Sequence, residues 1–145
     1  MSTGIKVAIG LVLLCVLACA GLVLGGKMWF EANKDDLLAM GERAEAEGEA
    51  FGMGAAQPGC VNEAMRRVDG CGELDPLCEA EVGIFIEACL QVASPTPGFC
   101  DGVPEESSIM DSATWRLATC QNLGRGGDEA CGRILGSVQK YCRPS

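Results

Sequence analysis

The sequence contains no histidine in its 145 residues. This absence excludes the Ser-His-Asp and Cys-His arrangements of nucleophilic catalysis, zinc sites with histidine ligands, and covalent haem attachment through Cys-x-x-Cys-His. The pattern Cys-x-x-Cys is also missing, although the chain has 10 cysteines, which leaves a thioredoxin-like redox pair and a zinc knuckle without support. We therefore predict that the protein is not an enzyme and holds no metal and no cofactor.

Basic residues are scarce, and this limits the classes of partner. Residues 27–145 contain all 20 acidic residues but only 10 of the 11 Lys and Arg, a net charge of −10. A surface with this charge repels phosphate backbones. Nucleic acid is therefore not an expected partner.

The chain has one long hydrophobic run, near its amino terminus. Residues 7–26 are uncharged and rich in Leu, Val and Ala, and a helix of this length rises about 30 Å, the thickness of the hydrocarbon core of a bilayer. Lys6 and Lys27 flank the run, and Trp29 and Phe30 lie where interfacial aromatic residues usually occur. We expect a short tail, residues 1–6, and then an uncleaved transmembrane signal anchor, residues 7–26.

Three further interpretations of the hydrophobic run stay open. Ala18-Cys19-Ala20 has the small-x-small form of a signal-peptidase site. The segment that ends at Cys19 also loosely resembles a bacterial lipobox, in which that cysteine would be acylated. Gly21 and Gly25 form a Gly-x-x-x-Gly pattern, which lets two membrane helices approach closely and would form the seam of a homodimer.

Residues 27–57 are rich in Ala, Glu and Gly and contain no cysteine. This composition predicts an acidic helical stalk that continues out of the membrane. Phe30, Leu37, Ala44 and Phe51 recur every seven residues, so a short coiled-coil seam is one interpretation. We prefer a solvated, partly frayed spacer, because each interior glycine costs about 1 kcal/mol relative to alanine.

The remaining eight cysteines lie in residues 58–145, and five of their seven intervals are 11 residues long. Eleven residues make about three turns of α-helix, so both ends of such an interval face the same side. Apolar residues follow the same face, for example Met110, Ala113 and Leu117 before Cys120. The pattern predicts an all-α, disulfide-braced domain of about four helices arranged as two α-hairpins.

An antiparallel hairpin places the cysteines beside its turn opposite each other. Cys71 and Cys78 flank the first turn and would pair, as would the two cysteines at the open end, and the same geometry applies to the second hairpin. Eight cysteines allow many connectivities, so the arrangement is a hypothesis. The predicted pairs are Cys60–Cys89, Cys71–Cys78, Cys100–Cys142 and Cys120–Cys131.

The first hairpin has the spacing Cys-x10-Cys-x6-Cys-x10-Cys over 30 residues. This arrangement resembles the twin Cys-x9-Cys pattern of coiled-coil-helix-coiled-coil-helix proteins, with each interval one residue longer. The resemblance implies a disulfide-clipped helical hairpin and no specific activity. The chain as a whole also resembles the small, membrane-anchored, cysteine-rich proteins of Gram-negative bacteria, which again implies no activity.

Two features disagree about the orientation of the anchor. Lys27, Lys34 and Arg43 follow the hydrophobic run, and a bare count of Lys and Arg would leave the carboxyl-terminal region in the cytoplasm. Cysteine makes up about 9% of residues 58–145, a density typical of disulfide scaffolds in oxidising compartments. We give the cysteines more weight and predict a single-pass protein of the inner (cytoplasmic) membrane, with its carboxyl-terminal domain in the periplasm.

The function predicted from these features is structural. A rigid acidic domain on an anchor, with no reactive constellation, suggests an adaptor that contacts the lipid bilayer and binds another envelope protein. Trp115 is expected to pack in the core; if it is exposed beside Phe99 and Val103, the three residues would form a patch for a partner. One alternative is binding of lipid or a small apolar ligand, and a further alternative is a thiol redox sensor with one labile disulfide. The ligand cavity would be lined by Met65, Phe85, Ile86 and Leu117.

Overall fold

The computed structural model describes residues 3–72 and 75–143, without the side chains of Thr3 and Lys6. Met1 and Ser2 of the predicted tail, and Pro144 and Ser145 of the predicted domain, lie outside the described residues. The predicted all-α class is confirmed, since the only β-type pairing in the described part is an isolated bridge between Ala56 and Ser94. The helices are α1 (Thr3–Gly52), α2 (Gln57–Val68), α3 (Pro76–Val92), α4 (Ile109–Asn122) and α5 (Glu129–Cys142).

The chain forms two units, Met1–Ala39 and Met40–Ser145. In the first unit, α1 is long and apolar enough to cross a membrane, by length and composition. Cys15 and Cys19 are exposed there and have free thiols. A Cβ added at Gly21 or Gly25 would meet no heavy atom within 4 Å, so this side of the helix is open.

In the second unit, the last turns of α1 pack against α3. Ala44 is buried, and Gly48 and Gly52 bring the two backbones so close that a Cβ at Gly52 would lie 2.5 Å from the carbonyl oxygen of Cys89. The ring centroids of Phe51 and Phe85 are 5.9 Å apart. The stalk is therefore not a solvated spacer over its full length. Its small residues recur every four positions, and they form a seam within the chain.

Local signals in the sequence account for where the next helices begin. Asp75 caps α3 by accepting a hydrogen bond from the Cys78 amide at 3.0 Å, and proline occupies the first position of that helix. The side chain of Asp128 caps α5 in the same way, through the amides of Ala130 and Cys131. Gly124, with φ of 73°, ends α4 in a backbone conformation that other residues rarely adopt.

Helix α3 lies at the centre of the second unit and packs on both α2 and α5. Helix α5 also contacts α2 and α4, whereas α2 and α4 do not pack on each other. The largest fully buried apolar side chains are Phe85, Ile86 and Leu90 of α3. Two predicted hairpins, α2–α3 and α4–α5, are thus joined through the faces of α3 and α5.

Four disulfides connect these helices. Their Cα–Cα distances lie between 5.3 and 6.1 Å, within the ordinary range for such bonds. Two of the bonds are buried in the core and two are partly exposed. The bonds are Cys60–Cys89, Cys71–Cys78, Cys100–Cys142 and Cys120–Cys131, the four pairs predicted from hairpin geometry.

Candidate interaction surface

Helix α4 turns a polar face toward the core. Gln139 of α5 is completely buried, and its side-chain oxygen accepts a hydrogen bond from Nη2 of Arg116 at 2.7 Å. The amide nitrogen of Gln139 donates to Oγ of Ser112 at 2.7 Å and to the carbonyl of Pro104 at 3.0 Å. Because a buried amide must find partners, these bonds determine which side of α4 faces α5.

Because the polar side of α4 faces α5, an apolar side of the same helix points to solvent. Ile109 and Met110 are each 78% exposed and Leu117 is 53% exposed, and Ala113 between them is also exposed. The prediction that Met110, Ala113 and Leu117 lie on the buried side of the helix with Cys120 is wrong. The pairing of Ser112 and Arg116 with Gln139 rotates the helix so that only Ser112 and Cys120 are buried. We call Ile109, Met110, Ala113 and Leu117 the α4 stripe.

A second apolar surface lies between α2 and α4. The two helices stand apart on α5, which leaves a depression of about 290 Å³ floored by Leu135 and Val138. Among the described residues that line it, only Asp101 is charged. We call this depression the α2–α4 groove. It is lined by Pro58, Val61, Asn62, Phe99, Asp101, Val103, Trp115, Thr119, Leu123, Leu135 and Val138.

The three residues of the predicted partner patch meet in this groove. Trp115 and Phe99 are partly buried against the core, and Val103 is only 4% exposed. Val103 is therefore almost entirely buried in the wall of the groove. Trp115 packs partly against the core, and the rest of its side chain lines the groove. Thr119 and Leu123 were not among the predicted patch residues, although they follow Trp115 at intervals of four residues, with Leu123 just after the end of α4.

The four residues of the predicted ligand cavity do not come together around one space. Met65, Phe85 and Ile86 belong to the packed core, whereas Leu117 lies on the exposed α4 stripe. The described residues also contain no group of three or more His, Cys, Asp or Glu that could hold a metal ion.

Ion pairs leave the folded unit with unpaired negative charge. Residues 40–145 contain 17 acidic and 8 basic side chains. Most of the cations are already paired with carboxylates, so the surplus of acids determines the potential of the surface. The paired cations are Arg66, Arg67, Arg125, Arg133, Lys140 and Arg143.

Two of these ion pairs connect the helices that border the groove to other parts of the domain. Beyond α2, Asp69 accepts a hydrogen bond at 3.0 Å from Nη1 of Arg125, which follows α4. On α2, the carboxylate of Glu63 accepts bonds from Arg66 and Arg67, and these bonds lower the pKa of Glu63 to about 2. The guanidinium of Arg67 also lies 3.8 Å from the centre of the Phe85 ring, so the pair links α2 to the central helix.

Comparison with known proteins adds no family to this description. No protein-family model, no curated protein and no solved structure matches the chain at a significant level.

Proposed function

We propose that the protein is a single-pass adaptor of the inner membrane, whose carboxyl-terminal domain binds another envelope protein in the periplasm without catalysis. The observation that carries this proposal is the α2–α4 groove. Both helices that border it pack on α5, yet they do not pack on each other. The depression between them is therefore open, and part of the surface of Trp115, Thr119 and Leu123 is exposed in the described structure.

The lining of the groove suits a protein partner. Its volume is about 290 Å³. Trp115 and Phe99 lie side by side with aliphatic residues, and aromatic side chains dominate the energetics of many protein interfaces. A few apolar side chains of a partner would fill this space.

Two disulfide bonds hold the walls of the groove in place. The Cys120–Cys131 bond joins α4 to α5, and the Cys100–Cys142 bond holds the loop that contributes Phe99 and Val103. Because these walls are held in place before a partner arrives, little conformational entropy would be lost on association.

The proposed location draws on two separate observations. The apolar part of α1 meets the length and composition of a membrane span. Four disulfides in the second unit are typical of an oxidising compartment such as the periplasm. Together they favour an anchor in the inner membrane and a domain on its outer side.

Site-specific photocrosslinking in intact membranes tests the proposal. A photoreactive amino acid at Thr119, on the wall of the groove, should give a discrete adduct with another protein, whereas the same amino acid at the exposed Ala46 of α1 should not. Leu123→Ser should weaken the Thr119 adduct, since Leu123 lines the groove but is 48% exposed and contributes little to folding. An adduct of equal strength at both positions, or none at Thr119, would count against this function.

A further inference from the structure

We propose that the α2–α4 groove selects a cationic partner, namely a short apolar segment of another protein with a Lys or Arg beside its apolar side chains. This partner chemistry rests on the proposed function and adds to it. The observation that carries it is Asp101, which lines one depression of about 290 Å³ together with Trp115 and Leu123. An occupant that packs on these two side chains therefore comes within reach of the carboxylate.

A turn in the loop before α4 sets the position of Asp101. Its amide donates a hydrogen bond to the carbonyl of Gly98 at 3.0 Å, and its Oδ2 atom lies 3.2 Å from where a Cβ on Gly98 would be. Cys100, the residue before Asp101, is bonded to Cys142 of α5. The backbone that carries the negative charge is thus fixed before a partner binds.

The carboxylate of Asp101 has no cation of its own in the described structure. Its residue is exposed, and no described Lys or Arg lies within ion-pair distance of it. The other described residues that line the groove are uncharged. The groove therefore presents one unpaired carboxylate among apolar side chains.

Three cations lie beside residues that line the groove, two by their position in the chain and one through a hydrogen bond to the Val103 carbonyl. Each of them forms an ion pair with at least one carboxylate. A cation beside its own carboxylate contributes little net potential at the groove, so the charge of Asp101 is not offset. The pairs are Arg66–Glu63, Arg125–Asp69, Arg125–Asp128 and Arg143–Glu105.

Arg116 follows Trp115 in the chain, but its guanidinium is directed elsewhere. It donates to the side-chain oxygen of the buried Gln139, within the contact between α4 and α5. The depression that Arg116 lines is a different one, and the acids Asp128 and Glu129 line it too. The positive charge of Arg116 therefore does not belong to the lining of the groove.

The charge of Asp101 discriminates among the occupants that an apolar groove could have. A lipid tail or another neutral ligand would cover part of the carboxylate without pairing with it, which costs free energy. An anionic lipid surface or an acidic segment would be repelled. A Lys or Arg next to apolar side chains would pair with the carboxylate, and its hydrocarbon stem would add apolar contact.

Photoaffinity labelling of the full chain in phosphatidylcholine nanodiscs tests the proposal with two synthetic peptides. Both are acetylated and amidated and contain leucines, one of them photoreactive. They differ at one position, which is arginine in one peptide and citrulline, an uncharged analogue of similar shape, in the other. Below saturation, the yield of adduct at Thr119 or Leu123, measured by mass spectrometry, should be about fivefold higher for the arginine peptide.

Variants of the chain assign this preference to one carboxylate. Asp101→Asn should remove the preference by lowering the yield of the arginine peptide, and added salt should reduce it in the unchanged chain. Glu49→Gln, which removes an acid at an exposed position of α1, is the matched control and should keep the preference. Leu123→Ser should lower the yield of both peptides at Thr119. Thermal melts would show that each variant is folded.

The same position can be tested against the natural partner in intact membranes. Asp101→Lys should weaken the photocrosslinked Thr119 adduct several-fold, because two positive charges would then meet, whereas Glu49→Lys should leave it unchanged. The crosslinked peptide of the partner should contain a Lys or Arg next to apolar residues.

Equal labelling by the arginine and citrulline peptides would overturn the proposal, as would a preference that Asp101→Asn leaves intact. A Thr119 adduct that Asp101→Lys does not weaken would also overturn it, while the adaptor function would stand. An adduct between two copies of the chain would assign the groove to a second copy instead. Absence of any Thr119 adduct would overturn the adaptor function and, with it, this partner chemistry.

Discussion

The guanidinium of Arg116 on α4 donates two hydrogen bonds to the side-chain oxygen of Gln139 on α5, at 2.7 and 3.2 Å. Gln139 is completely buried, and its nitrogen is engaged as well, by Ser112 and Pro104. One amide thus links two helices and the loop between the hairpins. The orientation of both apolar surfaces of α4 depends on this contact.

Gln139→Leu should destabilise the domain by about 2–3 kcal/mol, because a buried polar group that loses its partner costs about 1–3 kcal/mol. The substitution leaves the Pro104 carbonyl and the Arg116 guanidinium without their partner. Urea denaturation with the disulfides intact gives the free energy of unfolding. Gln91→Leu, at an exposed position of α3, is the matched control and should change stability by less than about 0.5 kcal/mol.

Gly48→Ala should destabilise the domain by about 1–3 kcal/mol, the usual cost of overpacking a tight contact. A Cβ at this position would lie 2.9 Å from the Cβ of Ala88 and still closer to the carbonyl oxygen of Phe85. The backbone of α3 cannot move aside as a flexible side chain would.

Gly83→Ala is the control for that substitution. A Cβ at Gly83 would meet no heavy atom within 4 Å, so the change should stabilise α3 by roughly 0.5–1 kcal/mol through helix propensity. Thermal melts of the two variants should therefore shift in opposite directions. A gain of stability in both variants would show that α1 does not pack on α3 through Gly48.

Loss of the Cys60–Cys89 bond should cost more stability than loss of the Cys71–Cys78 bond. The two bonds span 29 and 7 residues, and loop closure alone assigns them about 3.6 and about 2.4 kcal/mol. Cys60 and Cys89 are also fully buried in the core, so their replacement removes packing. Denaturation of Cys60→Ser/Cys89→Ser and Cys71→Ser/Cys78→Ser measures the difference, and an inverted order would contradict it.

Acid should weaken the domain partly through Glu63. The folded-state pKa of Glu63 is lowered from 4.5 to about 2, mainly by its hydrogen bond with Arg66. A lowered pKa means that the ionised carboxylate stabilises the fold above pH 4.5, and that this contribution is lost as the pH falls through about 2. Thermal melts between these two pH values should show a smaller dependence on pH in Glu63→Gln than in the unchanged chain. Glu49→Gln, at an exposed position, should keep the full dependence.

Local patterns in the sequence predict the helices and their approximate order, and they also suggest the cysteine pairs that the structure contains. Eleven-residue intervals repeat a helical face, and short turns at Cys71–Cys78 and Cys120–Cys131 leave few partners within the reach of a disulfide. Start signals such as Asp75 and Asp128 act through neighbouring backbone amides. Information of this kind is local, so it can be read along the chain.

The buried side of α4 depends on contacts with residues far away in the sequence. Helical periodicity places Met110, Ala113 and Leu117 on one stripe, but it does not say whether that stripe or the polar side with Ser112 and Arg116 meets the core. Gln139 decides this, because a buried amide 27 residues from Ser112 must be satisfied. In the same way, Gly48 packs on α3 because the carbonyl of Phe85 lies against it. Contacts between residues far apart in sequence depend on the shapes of both surfaces, which no single segment specifies.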